Sequence, residues 1–95
     1  MPAYIIGNIS VKNHEKWAEY CSQVPDTLVP FGGELVFRGV GALVLSGNYR
    51  HAQAVVIRFP SPEHVMQWHD SDEYQRLVPL RMQAAEVDLV RFDEG

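Results

Sequence analysis

The chain has 95 residues, 46% of them hydrophobic and 21% charged, and a formal net charge of −4. That balance excludes the basic face that nucleic-acid phosphates require, and no apolar run approaches the ~20 residues of a membrane-spanning helix. A single cysteine, Cys21, excludes an intrachain disulfide and implies a reducing, cytoplasmic setting. One domain covering residues 1–95 is expected, with a core modest enough that pairing with a second copy would add useful apolar burial.

Met1–Gly7 lacks the basic and long apolar regions of a secretion signal and reads as the start of a strand over Tyr4–Val11. Asn13 can cap the helix that follows. His14, Trp17, Ala18 and Cys21 recur there at helical spacing, while Pro25 and Pro30 mark a ragged end. Gly32-Gly33 turns the chain into a second strand over Glu34–Arg38. A short apolar piece, Ala42–Leu45, is expected as a minor strand before a loop, and Ala52–Phe59 as the third main strand. Ser61-Pro62 is a strong helix start, with a capping hydroxyl and proline at the first helical position. Asp70-Ser71-Asp72-Glu73 breaks that helix and caps a second piece carrying Tyr74, Leu77, Val78, Arg81, Ala84 and Ala85. Val87–Phe92 is the last strand.

The order β-α-β-β-α-β predicts a ferredoxin-like α+β fold: a four-stranded antiparallel sheet with helices on one face only. The other face is then left for a second subunit, giving a homodimer packed sheet to sheet. Strict alternation would place Ile5, Gly7, Ile9, Leu35, Phe37, Val55, Ile57, Val90 and Phe92 under the helices. It would place Asn8, Ser10, Glu34, Arg38, Arg58, Leu89 and Arg91 on the opposite face. An enclosed arginine needs a carboxylate, a carbonyl, water or an anionic ligand. Arg81 falls on the same helical side as Tyr74 and could hold a carboxylate bidentately.

Other chemistry is thin. Gly39-Val40-Gly41 lacks the rest of a phosphate loop. His64 and His69 are five residues apart, on different helix faces, and no metal site is expected. His14 and His51 read as surface or capping residues. His69, beside Trp68, is the one weak candidate for a catalytic base, and a haem-binding role would need it to face a large pocket. Cys21 reads as a small buried hydrophobe.

Taken together, several blocks give the chain a family resemblance. They are Tyr20, Val24-Pro25, Gly32-Gly33, Arg38-Gly39, Leu45-Ser46-Gly47, Val55-Val56-Ile57-Arg58-Phe59-Pro60-Ser61, Trp68, Asp70-Ser71-Asp72-Glu73-Tyr74-Gln75 and Arg81. In these the sequence resembles domain-of-unknown-function family 1330, of the dimeric α/β-barrel superfamily, over nearly its whole length. The resemblance implies a ferredoxin-like subunit and a dimer with facing sheets, and it implies no reaction. Departures are Arg58 where the family has glutamate, Asp72 for proline, Tyr49 for tryptophan and Gln53 for a basic residue.

The expected function is binding of a small carboxylate- or carbonyl-bearing molecule, by an enzyme working without a cofactor (monooxygenase- or isomerase-like) or by a protein that only binds. Arg38, Tyr74 and Arg81 would orient the ligand, with Tyr20, Asn8 and Trp68 as further lining. The alternative is a non-catalytic dimeric structural or regulatory module, in which Arg38 and Arg81 end in salt bridges with Glu34, Glu73 or Glu86.

Overall fold

Three of the four α-helix starts are written in the sequence as capping side chains. In the computed structural model, which describes residues Met1–Gly95, Asn13 Oδ1 accepts from the Lys16 amide at 3.0 Å. Ser61 Oγ accepts from the His64 amide, and Ser71 Oγ from the Tyr74 amide, each at 3.2 Å. Each side chain satisfies one orphan donor of a first helical turn. Strand β1 (Ala3–Val11) leads to helix α1 (His14–Leu28), a 3₁₀ turn (Val29–Phe31) and strand β2 (Glu34–Gly39). Strand β3 (Gln53–Phe59) is followed by α2 (Pro62–His69), α3 (Asp72–Gln75), α4 (Val78–Ala84) and β4 (Ala85–Asp93). The strands form one antiparallel sheet in the order β2-β3-β1-β4, the ferredoxin-like arrangement. No helix is long and apolar enough to cross a membrane.

Several expectations change. Helix α1 continues through Pro25 to Leu28 instead of fraying there, at the cost of the bond the Pro25 nitrogen cannot donate to the Cys21 carbonyl. Its inward side runs through Trp17, Tyr20, Cys21, Val24 and Leu28, whereas His14 and Ala18 are exposed. Ala42–Leu45 is irregular and forms no strand; Leu43 and Leu45 are almost fully exposed.

The larger correction concerns which way two strands face. Between Leu35 and Phe37 the β2–β3 register shifts by one residue, a β-bulge at Val36. Leu35 pairs with Ile57, but Phe37 pairs with Val56 and Arg38 with Val55. The extra residue inverts the alternation, so Arg38 lies under the helices and Phe37 on the uncovered face. In β4 the expected phase was also reversed. Leu89 pairs with Gly7 and Arg91 with Ile5, on the helix side, while Val90 pairs with Ile6 and Phe92 with Tyr4, on the uncovered side. Arg58 alone of the three arginines stays on the uncovered face. There it pairs with Glu34, Nη1 to Oε1 at 3.7 Å, so the glutamate across the ladder answers the reversed charge.

Two transverse rows summarise the sheet. Phe37, Val56, Ile6 and Val90 cross the uncovered face side by side on all four strands. Arg38, Val55, Gly7 and Leu89 form the neighbouring row on the helix face. The core fills the space between that face and the helices, with Phe59, Val65, Trp68 and Tyr74 at most 1% exposed.

Candidate functional site

The core is not filled everywhere. Under α1, between Trp17, Tyr20, Cys21 and Val24 above and Ile9, Val55, Ile57 and Leu89 below, lies a cavity of about 80 Å³. Gly7 lies between Val55 and Leu89 in the row that floors it. A Cβ there would come within 3.0 Å of Val55 Cγ2 and 3.1 Å of Leu89 Cδ2, so the glycine keeps the floor low. Trp68 closes one side, and Arg38, exposed at the edge, is the one charged residue on the wall.

Behind the cavity runs a short polar chain. Arg81 Nη1 donates to the Tyr74 hydroxyl at 2.9 Å, and the Tyr74 and Tyr20 hydroxyls share a hydrogen bond of 2.9 Å. Tyr74 is completely buried, Tyr20 is 7% exposed, and Arg81 is half-buried. Trp68, packed at a tilt against Tyr74 with ring centroids 4.1 Å apart, donates its Nε1 proton to Thr27 Oγ1 at 3.0 Å. Burial above all, and then the neighbouring Tyr74, push the Tyr20 hydroxyl far above its ordinary pKa, with Arg81 opposing. Tyr20 is thus a neutral phenol at any physiological pH, able to donate a hydrogen bond and unable to act as a base.

Of the residues singled out from sequence, Arg38, Tyr20 and Trp68 line this cavity, and Tyr74 and Arg81 stand directly behind it. Asn8 does not join them. It lies on the opposite sheet face, where its Oδ1 accepts from the Tyr49 hydroxyl at 2.7 Å. His69 is also apart: it is absent from the cavity wall and its Nδ1 approaches Asp70 Oδ1 at 3.4 Å, with 41% of the side chain exposed. Haem binding would require His69 to face a large pocket, and His69 is not among the residues lining the cavity under α1.

Cys21 belongs to the cavity wall. Burial raises its thiol pKa, with the Arg38 charge opposing. A raised value leaves less thiolate at neutral pH, and thiolate is the reactive form. Cys21 is therefore expected to react with a disulfide reagent several-fold more slowly than a free thiol at pH 7, and more slowly again in Arg38→Ala. Rates followed by absorbance check this; reaction as fast as a free thiol would contradict it.

One cluster was missed altogether. His51, read as a surface residue, is only 8% exposed. Its Nδ1 shares a 2.8 Å hydrogen bond with Ser10 Oγ and its Nε2 lies 2.7 Å from Asp88 Oδ2, which Arg50 approaches at 3.4 Å. The His51 hydrogen bond, and to a lesser degree the Arg50 charge, hold the Asp88 carboxyl below its usual range. With Tyr49 on Asn8, these contacts pin the end of the β2–β3 loop across the uncovered sheet face. A histidine that meets its partners 41 and 37 positions away leaves no local sequence signal.

A four-stranded antiparallel sheet with helices on one face and a cavity beneath the first helix defines a ferredoxin-like α+β protein. The sequence matches the family "Domain of unknown function (DUF1330)" over residues 2–94, and the chain belongs to that family. Among solved structures it is similar to a protein of unknown function from Rhodopseudomonas palustris (18% identity, TM-score 0.83, 99% of this chain and 82% of that one). It is also similar to a dimeric ferredoxin-like protein of unknown function from Jannaschia sp. CCS1 (12%, 0.74, 99% and 100%). A third is SnoaB, a cofactor-independent oxygenase from Streptomyces nogalater (7%, 0.69, 99% and 93%). At such identities the likeness concerns the fold alone. No curated protein matches the sequence.

Proposed function

We propose that this is a cytoplasmic, homodimeric small-molecule-binding protein of one domain, whose ligand enters the cavity under α1 with a carboxylate or carbonyl toward Arg38. The observation that carries this reading is an apolar cavity with an arginine at its edge and no carboxylate partnering that arginine. Glu34, Glu73 and Glu86, which the structural-module alternative assigns to Arg38 and Arg81, make no salt bridge with either; Glu34 is engaged by Arg58. The cavity of about 80 Å³ is small beside the 300 Å³ or more usual for drug-sized ligands, so the occupant is compact. Chemistry without a cofactor, as in the oxygenase of the same fold, is compatible with a site whose polar groups are tyrosine and arginine.

The homodimer forms through the uncovered sheet face. That face carries the row Phe37, Val56, Ile6 and Val90, and Phe37, Val90 and Phe92 are 56%, 42% and 52% exposed. A contiguous apolar surface of this kind is rarely left to solvent.

The test is a thermal-shift screen of the purified protein against small carboxylates, phenols and quinones. A ligand at one hundred times its Kd adds about 2.7 kcal/mol, which for a chain this short is roughly 10–20 °C. Arg38→Ala should lower that shift while leaving the unliganded melting temperature within a few degrees. A carboxylate shift that survives the substitution intact would remove Arg38 from the site, and silence across the whole panel would favour the structural module.

A further inference from the structure

We infer that Tyr20 is the hydrogen-bond donor inside the helix-face cavity, and that the group it selects is a single anionic oxygen on a flat apolar body, of the phenolate or enolate class. This rests on the reading of the cavity as a ligand site and names what that site prefers.

The protons of the Arg81–Tyr74–Tyr20 chain set its direction. Arginine has only donors, so the Tyr74 oxygen accepts from Arg81. The bond between Tyr74 and Tyr20 could run either way by distance alone. If Tyr20 were the donor, the Tyr74 proton would be left without an acceptor in a completely buried place, which is costly. Tyr74 therefore donates to Tyr20, and the Tyr20 proton is the one left over. Tyr20 is on the cavity wall, so that proton has the cavity to serve. The direction is Arg81 to Tyr74 to Tyr20 to ligand, and a cation at the head of such a chain polarises every bond along it.

The rest of the wall explains why one oxygen is preferred. The Trp68 Nε1 proton is already given to Thr27, the Cys21 thiol is a weak donor, Trp17, stacked on Tyr20, carries the other indole N–H of the wall, and the remaining interior is aliphatic. The Tyr20 hydroxyl is the one donor backed by a cation through a hydrogen-bonded chain, and it satisfies one oxygen. A carboxylate buried at that depth would keep lone pairs without partners, and the exposed Arg38 at the edge suits it better. A phenolate or enolate oxygen on a flat body matches that single cation-backed donor, and its charge is the kind a preorganised donor stabilises.

The test uses two probes of similar shape, 4-nitrophenol and nitrobenzene, with the purified protein. Nitrobenzene lacks the hydroxyl and reports the cavity alone. Bound 4-nitrophenol should ionise about one pH unit below the free probe, a roughly tenfold preference for the phenolate read from its visible band. Tyr20→Phe and Tyr74→Phe should each erase that preference while nitrobenzene binds as before. Two variants are used so that a folding defect in one leaves the other to decide. Nitrobenzene binding without a phenolate preference overturns this inference and spares the ligand-site reading. A preference that survives in both tyrosine variants also overturns it. Failure of both probes to bind overturns the inference and the ligand-site reading together.

Discussion

Replacing Val56 with aspartate should convert the proposed dimer to a folded monomer of 10.8 kDa. Val56 is at the middle of the apolar row on the uncovered sheet face, paired with Ile6 on one side and Phe37 on the other. In a dimer packed through that face, the new carboxylate would be enclosed without a partner. Leaving a charge in that condition costs about 3–5 kcal/mol, a loss of two to four orders of magnitude in affinity. In the separated subunit the same side chain faces water, so the fold should survive, with far-ultraviolet circular dichroism unchanged. Sedimentation velocity distinguishes the outcomes. A wild-type protein already monomeric at high concentration, or a Val56→Asp protein still dimeric, would show that the apolar row serves something other than self-association.

Trp68→Ala should be the most damaging substitution in the core. Trp68 is 1% exposed, packs at a tilt against Tyr74, lies 5.5 Å from Phe59 between ring centroids and satisfies Thr27 through its indole proton. Truncation removes that packing, leaves a hole and strips the buried hydroxyl of its donor. Changes of this type cost about 3–5 kcal/mol, against a total of about 5–15 kcal/mol for a protein of ordinary stability. The melting temperature should fall by roughly 15–30 °C. Thr27→Val in the wild-type background separates the two contributions, because it removes the hydroxyl while keeping the shape. A Trp68→Ala protein that melts within a few degrees of wild type would mean that the neighbouring rings collapse into the gap.

The element order was readable because its signals are local. Asn13, Ser61-Pro62 and Ser71 each declare a helix start within a few residues, and β-branched runs declare the strands. The faces of β2 and β4 were not readable. Nothing in Leu35-Val36-Phe37 announces a bulge, since any of the three suits a strand. Val87–Phe92 offers apolar residues in both phases, so alternation alone could not choose between them. Tyr20, Trp68, Tyr74 and Arg81 converge as their helical phase suggested. Arg38 reaches the same cavity from the face opposite to the one alternation assigned it. Asn8 was correctly placed on the uncovered face by its phase, which is the reason it cannot line a cavity under the helices. The cluster around His51 depends wholly on contacts distant in sequence.

The bulge at Val36 also bears on how such a pocket can change. Deleting Val36 would leave Leu35, Phe37 and Arg38 against the partners they have now, whereas taking Val36 into the ladder opposite Val56 would restore strict alternation to β2, turning Arg38 outward and Phe37 inward. The cavity would exchange its cation for an aromatic ring, and the outer face would exchange its ring for a cation. The proposed ligand preference and the proposed self-association are therefore tied to the register of one edge strand. A one-residue slip of β2 at this point would alter both in one step, whereas substitutions that keep the register would have to alter them separately.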